Sequence, residues 1–261
     1  MANFIVRLAK PGDCEQIADL IKELAVYEKL EEQVKITADV LRTDGFGEEK
    51  FYHCFVAELK DKPGTTNICD ISDKPLLVGY ALYYYTYSTW EGRSIYMEDL
   101  YVKPGYRGQG IGTQLWKSVT KELAAHVKCE HEVKIKADTL QRDGFGNNSL
   151  FHCLVAEVNK DVIGYLLYYY TYSPWVGKTV YMEDFYVKPE HRNNGIGTNL
   201  LKTAVKVFLD THCNCMEWAV PCWNKVAVDY YKQKGAINLT ETEQLHIYRL
   251  TEEAMQNLLS K

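Results

Sequence analysis

The sequence predicts an α/β (α+β) protein in which one unit of alternating strands and helices occurs twice, each time in part. Residues 33–59 reappear as 132–158 with 15 of 27 positions identical, and residues 78–115 reappear as 163–200 with 25 of 38 identical. Both copies also run directly from a strand into a glycine-rich loop and then a helix. Two copies of such a long repeat indicate a duplicated domain rather than a solenoid.

Neither copy is complete, because only the first has what lies at 1–32 and only the second has what lies at 213–261. We therefore predict two domains. The first, 1–128, lacks its C-terminal strand, helix and strand, and the second, 129–261, lacks its N-terminal strand and helix. A misassembled join near the boundary is the alternative explanation, which sequencing of the transcript would decide.

The elements of the first copy follow from the period of the apolar residues. Ile17, Leu20, Ile21 and Leu24 recur at helical spacing, and Asp13 precedes them as a plausible cap. In order, the pattern predicts a strand at 4–8, a helix at 11–27, a short helix at 37–42 ended by a turn at 44–47, strands at 51–59, 76–87 and 95–102, and a helix at 110–125.

The second copy repeats this order from its short helix onward and then adds new elements. Its predicted elements are strands at 150–158, 162–172 and 180–187, a helix at 195–210, a strand at 216–220, a helix at 224–234 and a last strand near 245–250.

Composition narrows the possible functions. The net charge of −5 argues against a nucleic-acid partner, which needs a basic face. No apolar run reaches 18 residues, so we expect no membrane span. The start does not look like a signal peptide, and the eight cysteines then indicate reduced thiols in the cytoplasm.

The glycine loops indicate a phosphate-binding site. In each copy a strand ends in Tyr-Val-Lys-Pro, and Arg107 or Arg192 then opens the pattern Arg-x-x-Gly-x-Gly before a helix. Glycines let backbone N–H groups converge on an anion, and the helix N-terminus adds its positive dipole end. In the second loop Asn193 and Asn194 replace Gly108 and Gln109, which predicts weaker binding there.

With these loops the chain resembles the GCN5-related N-acetyltransferases (GNAT) and, more narrowly, the diamine acetyltransferases of the spermidine/spermine and thialysine type. The resemblance covers nearly the whole chain and implies a mixed central sheet flanked by helices, partly duplicated. The motifs that carry it are Tyr27-Glu28, Glu31-Glu32-Gln33, Asp44-Gly45-Phe46-Gly47, Phe51-Tyr52-His53-Cys54, the Glu-Asp strand, Trp223-Asn224 and Tyr231-Lys232.

The resemblance implies direct transfer of an acetyl group from acetyl-CoA to an amine. It makes Glu183, or its counterpart Glu98, the base that accepts the proton of the ammonium, and Tyr231 the acid for the leaving thiolate. The neighbouring Tyr230 is the alternative by pattern alone. We expect the second copy to hold the complete chemistry.

The same resemblance implies the binding residues. For acetyl-CoA they are Leu100, Tyr101, Val102, Arg107, Gly108, Gln109, Gly110, Ile111, Gly112 and Thr113 in the first copy, and Phe185, Tyr186, Val187, Arg192, Asn193, Asn194, Gly195, Ile196, Gly197, Thr198, Asn224, Lys225, Val226, Ala227 and Lys234 in the second. For the amine they are Tyr27, Glu28, Trp90, Trp175, Glu217, Trp218, Ala219 and Glu243.

Serine at positions 88 and 173, where polyamine-specific members carry aspartate, resembles the thialysine branch. We expect no metal site, since His126, Cys129 and His131 lack a fourth spaced ligand. Family members resemble dimers with shared active sites, so we predict a homodimer or an intramolecular pseudo-dimer in which Glu28 faces Glu183. The competing hypothesis is a catalytically silent protein that binds polyamine, CoA or a partner.

Overall fold

The computed structural model describes residues 3–60, 75–89, 92–126, 137–146 and 149–242, together with residues 254 and 257. Several predictions fall outside these residues, namely those for Trp90, Cys129, His131, Glu243, the side chain of His126 and the last strand. The chain divides into two compact units, Met1–Glu217 and Trp218–Lys261. In the described part, no helix combines the length and the apolar character that a membrane span requires.

The first copy forms an antiparallel sheet of four strands in chain order, backed by helices. Its elements are β1 (Phe4–Leu8), α1 (Cys14–Glu28), α2 (Ala38–Phe46), β2 (His53–Leu59), β3 (Leu76–Ser88), β4 (Gly92–Val102) and α3 (Ile111–His126). The second copy forms a mixed sheet, since its last strand is parallel to the one before. Its elements are α4 (Ala137–Phe145), β5 (His152–Val158), β6 (Asp161–Ser173), β7 (Gly177–Val187), α5 (Ile196–Asp210) and β8 (Met216–Glu217).

The second unit contains α6 (Lys225–Gln233) and the short α7 (Leu239–Thr242). Asn224 caps α6, because its side-chain oxygen accepts a hydrogen bond from the backbone N–H of Ala227 at 3.3 Å. The strand predicted at 216–220 is shorter than expected, since only Met216 and Glu217 pair with β7.

The apolar stripe predicted for α1 is confirmed. Ile17, Leu20, Ile21 and Leu24 are all buried in the core beneath the first sheet. Asp13 occupies the N-cap position of α1, as predicted, but its side chain makes no capping hydrogen bond to this helix. Its carboxylate instead accepts hydrogen bonds from Arg7 and from the backbone N–H of Lys10.

The short helix α2 continues through the predicted turn and ends only at Gly47. The reason lies at Gly45, where an added Cβ would lie 2.5 Å from the ring of Tyr52. The Tyr52 hydroxyl donates to the carbonyl of Leu41 at 2.8 Å, so this ring fastens the last turns of α2 to the core. The glycine at this position serves close packing rather than a turn.

The two copies contact each other through equivalent residues, related by the offsets of the repeat. Tyr52 of the first copy packs on Tyr172 of the second at 4.5 Å between ring centroids, and Tyr87 packs on Phe151 at 4.7 Å. In addition, the backbone N–H of Lys35 donates to the carbonyl of Trp175 at 2.7 Å. These contacts are what a pseudo-twofold interface predicts, in which each copy presents the same surface to the other.

Candidate active site

Each predicted catalytic glutamate lies in a β-bulge. Opposite Leu82 and Tyr83 of β3 stand Asp99 and Met97 of β4, so Glu98 is the extra residue. The second copy has the same irregularity at Glu183. A bulge turns a side chain out of the regular alternation of the strand, and it is common beside active sites.

Burial changes the protonation of the first carboxyl pair. Burial, with a smaller contribution from Asp99, raises the pKa of Glu98 to about 8. The Tyr84 hydroxyl donates to Glu98 Oε2 at 3.3 Å and acts in the opposite direction. Burial also raises the pKa of Asp99 to about 6, although the Tyr80 hydroxyl donates to its carboxylate at 2.6 Å.

Two residues predicted to bind the amine join this pair. Glu28, at the end of α1, interacts electrostatically with Asp99, and Glu217, on β8, interacts with Glu98. The expectation that Glu28 faces Glu183 is therefore wrong. Its cause is the packing of α1 on its own sheet, where Glu23 accepts hydrogen bonds from the side chains of Tyr101 and Lys103.

Glu183 has different neighbours. Burial, with a smaller contribution from Asp184, raises its pKa, while the backbone of Thr89 and the hydroxyls of Ser88 and Tyr169 lower it. Ser88 and Thr89 belong to the tip of the first copy. The carboxylate of the second copy thus lies among hydrogen-bond donors, whereas Glu98 lies among carboxylates.

The two glycine loops have nearly the same backbone. Gly108 and Gly110 have φ angles of 74° and 83°, and Asn193 and Gly195 have φ angles of 63° and 78°. Asparagine tolerates the left-handed region better than most residues, so the second loop keeps its form without the first glycine. The helix after each loop is at least 15 residues long, and the first turn of an α-helix has N–H groups with no acceptor inside the helix.

The arginine of each loop is held at the end of its strand. Arg107 Nε donates to the carbonyl of Val102, and Arg192 Nε donates to that of Val187, both at 2.8 Å. The guanidinium of Arg107 also lies 5.1 Å from the ring centroid of Tyr27. Tyr27, predicted to contact the amine, therefore lies against the loop predicted to bind phosphate.

Beyond the bulges, the outer edges of both central strands are open among the described residues. β4 ends the first sheet, and β7 pairs outward only at Val180 and Tyr181. An extended ligand can therefore pair with these strand edges, except at the carbonyls of Val102 and Val187, which accept hydrogen bonds from Arg107 and Arg192.

The remaining predicted residues divide between the interface and the second unit. Trp175 packs against the core of the first copy, where the structure gives it an interface contact. In the second unit, Tyr231 packs on Trp218 at 4.7 Å between centroids and on Tyr230 at 5.5 Å. Burial raises the pKa of Tyr231 to about 12. Lys234 Nζ lies 5.2 Å from the ring centroid of Tyr230.

Sequence reasoning missed the tyrosines that touch the carboxylates. Tyr80 and Tyr84 bond Asp99 and Glu98, and both come from the tyrosine-rich strand β3. Alternation places residues 80, 82 and 84 on the same face of that strand, which could have indicated the pairing.

Comparison with known proteins identifies the class. The model of the acetyltransferase (GNAT) family matches the chain twice, at residues 35–145 and 133–236. The chain therefore belongs to this family, and the duplication predicted from the repeat is confirmed.

Relatives narrow the assignment. The chain is 36% identical over 261 residues to thialysine N-epsilon-acetyltransferase of Bos taurus, with 100% of both chains covered. The protein of the same name from Mus musculus is 51% identical over 129 residues, 49% of this chain and 72% of its own. Among solved structures, an integron cassette protein from V. cholerae matches 57% of this chain and 90% of its own at 20% identity, with a TM-score of 0.42. The chain is thus an amine N-acetyltransferase of the diamine acetyltransferase family, carrying a partial tandem duplication of its α/β fold.

Proposed function

We propose that the protein transfers the acetyl group of acetyl-CoA to the amino group of a small cationic amine, with Glu98 as the base. The observation that carries this proposal is the carboxylate group around Glu98. An ammonium must lose a proton before its nitrogen can attack, and a base acts best when its pKa lies near the working pH. A pKa of about 8 satisfies this requirement.

The surrounding acidic residues suit the acceptor. Asp99, Glu28 and Glu217 share the electrostatic environment of Glu98, so a cationic amine is attracted to the carboxyl that deprotonates it. Burial, together with repulsion from Asp99 and Glu217, raises the pKa of Glu98 and makes its carboxylate a stronger proton acceptor. Serine at 88 and 173 favours a short, thialysine-like amine over a polyamine, because no carboxylate stands there to hold a distal ammonium.

The residues present fit acetyl-CoA. The glycine loop offers backbone N–H groups at a helix N-terminus, and at Gly108 and Gly110 no atom lies within 4 Å of the position a Cβ would take. Arg107 adds a fixed positive charge for the phosphates, and the open edge at Leu100 to Val102 offers backbone groups for the extended arm. When bound, acetyl-CoA supplies an acetyl group activated as a thioester.

Tyr231 is proposed as the proton donor to the departing thiolate. A pKa of about 12 keeps its hydroxyl protonated throughout the neutral range, which a general acid needs. Asn224 to Ala227, at the start of α6, and Lys234 are proposed to bind further parts of the cofactor.

We further propose that one chain forms an intramolecular pseudo-dimer in a reducing compartment such as the cytoplasm. The equivalent contacts between the copies support the first part. The free thiols of Cys14, Cys54, Cys153, Cys213, Cys215 and Cys222 support the second.

An acetylation assay with a panel of amines tests the function. The purified chain is incubated with acetyl-CoA and thialysine, spermidine or a neutral amine, and the product is identified by mass. We expect a higher kcat/KM for thialysine than for spermidine, since a missing charge-assisted contact costs about 1.5–3 kcal/mol. The opposite order would reject the acceptor assignment, and turnover of none of these amines would favour the catalytically silent binding protein.

A further inference from the structure

A cavity of about 370 Å³ lies where the first copy meets the second, and its lining comes from both. It is lined by Val40, Asp44 and Phe51 of the first copy and by Gly177, Lys178, Thr211, His212 and Asn214 of the second. Small-molecule sites begin at roughly this size. None of these residues belongs to the carboxylate group around Glu98 or to the glycine loops.

The cavity carries one charge of each sign. The carboxylate of Asp44 interacts with the Tyr172 hydroxyl and is attracted electrostatically to Lys178. Lys178 Nζ lies 4.1 Å from the ring centroid of Phe51 and 4.2 Å from that of Tyr170. No ion pair joins it to Asp44 in the described part of the chain. The Asp44 carboxylate also borders the cavity, and its Oδ2 lies 3.8 Å from the position of a Cβ at Gly177, the residue before Lys178.

The fold does not require Asp44 and Lys178 to lie apart, because the equivalent pair on the other side of the interface is in contact. The offsets of the repeat relate Asp44 to Asp143 and Lys178 to Arg93. There the pair is closed, with Arg93 Nη2 2.6 Å from Asp143 Oδ1 and the aspartate almost fully buried. The same two acidic and basic positions therefore form an ion pair on one side of the interface and line an open cavity on the other.

The remaining lining defines the shape of a ligand. Val40 and Phe51 form an apolar wall, and Val40 is 40% exposed. His212 also lines the cavity, and an imidazole can donate a hydrogen bond to an anion. The side chain of Asn214 is held in place, because its Nδ2 donates to the carbonyl of Val176 at 2.5 Å.

We propose that this cavity is a second, non-catalytic site for a small zwitterion of the amino-acid class. Its ammonium pairs with Asp44, its carboxylate pairs with Lys178 and His212, and an aliphatic side chain contacts Val40 and Phe51. A diamine or polyamine fits poorly, because its second ammonium would meet Lys178. The site thus selects the opposite chemistry from the acidic surroundings of Glu98.

Calorimetric titration tests the proposal with L-norleucine, which carries both charges and an aliphatic chain but no side-chain amine. Two charge-assisted contacts in an open site predict a Kd on the order of 1 mM. Hexanoate and pentylamine each lack one charge and should bind at least about ten times more weakly. No acetyl transfer is measured, so the result is independent of the proposed catalytic function.

Variants locate the binding. Asp44→Asn and Lys178→Met should each weaken norleucine binding about tenfold or more, while the matched variants Asp143→Asn and Arg93→Met should leave it unchanged. Two separate variants keep the test decisive if one of them folds poorly. Absence of norleucine binding at about ten times the expected Kd would overturn the proposal, as would binding that survives both Asp44→Asn and Lys178→Met.

Discussion

Glu98 and Glu183 have the same local sequence, the same bulge and equivalent tyrosines beside them, yet their surroundings differ. Glu98 lies with Asp99, Glu28 and Glu217. Glu183 has Asp184 beside it and receives hydrogen bonds from Ser88 and Thr89. The repeated strand therefore fixes where the carboxyl lies. Burial and the adjacent aspartate raise both pKa values, whereas residues outside that strand act in opposite directions, Glu217 raising the pKa of Glu98 and Thr89 and Ser88 lowering that of Glu183.

The partial duplication explains this difference. Helix α1 exists only in the first copy, so Glu28 is available only to the first carboxyl pair. Strand β8 exists only in the second copy, but its Glu217 interacts across the interface with Glu98. Both acidic contributions thus meet at the first copy. Glu28 and Glu217 therefore act on Asp99 and Glu98, whereas the sequence predicts that Glu28 faces Glu183.

The largest expected effect is a difference in the loss of activity between Glu98→Gln and Glu183→Gln. Glu98→Gln should lower kcat/KM by about 10²-fold or more, the usual scale of general base catalysis, because the amide cannot accept the proton. Glu183→Gln should lower it by less than about tenfold. Both values come from steady-state kinetics with one amine, and a larger loss in Glu183→Gln would transfer the role of base to the second copy.

The pH dependence sharpens the same comparison. Glu98 is raised to a pKa of about 8, so its carboxyl is protonated and inactive as a base at lower pH. The kcat/KM of the wild type should therefore increase with pH up to about 8 and then level off. The Glu183→Gln variant should show the same increase of kcat/KM with pH. If the increase were lost in that variant, Glu98 would not be the base.

The next largest loss of activity is expected on removal of the Tyr231 hydroxyl. Tyr231→Phe removes the proposed proton donor and should lower kcat by about 10²-fold while the affinity for acetyl-CoA stays nearly constant. Tyr230→Phe is the matched control, since its ring lies beside the first. Equal losses of kcat in the two variants would show that neither hydroxyl is the specific acid.

The two sides of the interface predict unequal losses of stability. Arg93→Met leaves the buried Asp143 with Arg142 as its remaining partner, at 2.9 Å, and should lower the free energy of unfolding by about 2–3 kcal/mol. Lys178→Met removes contacts with two rings and an attraction to Asp44 that involves no direct ion pair, and it should cost about 0.5–1 kcal/mol. Denaturant unfolding measures both. A loss in Lys178→Met equal to that in Arg93→Met would show that the open side also carries a strong ion pair.

Much of this architecture could be predicted from the repeat, and the failures have physical causes. The repeated strands lie within a few residues of their predicted positions, because their alternation is strong and is seen twice. The end of α2 was missed, since the pattern Asp44-Gly45 favours a turn locally while the ring of Tyr52 requires a glycine in a helix. Tertiary packing therefore determines where α2 ends.

Prediction of the candidate active site from the sequence is limited in the same way by tertiary packing. The repeat identified Glu98, Glu183 and both glycine loops as local features. It could not place Glu28 or Glu217, because their positions depend on how α1 and β8 pack against β4. The bulge at Glu98 was also invisible, since a register shift is defined only by the partner strand.

The smallest expected effect compares the two glycine loops. Arg107→Ala should weaken binding of a non-reactive acetyl-CoA analogue about tenfold, which corresponds to ~1.4 kcal/mol. Arg192→Ala should change it less than about threefold. The reason is that Arg107 lies beside the rings of Tyr27 and Tyr101, whereas the ring found beside Arg192 among the described residues is that of Tyr186. In addition, Gly108 leaves the backbone of the first loop open to the phosphates.

Calorimetric titration of the wild type supplies the reference for this last comparison and should give one tight site per chain. Arg107→Ala should weaken that site, whereas Arg192→Ala should leave its stoichiometry and affinity nearly unchanged. Two equivalent tight sites would mean that Asn193, at a φ of 63°, reproduces the function of Gly108 as well as its conformation. In that case the copies would differ in their carboxylates alone, and the difference between Glu98→Gln and Glu183→Gln would have to arise entirely at the amine.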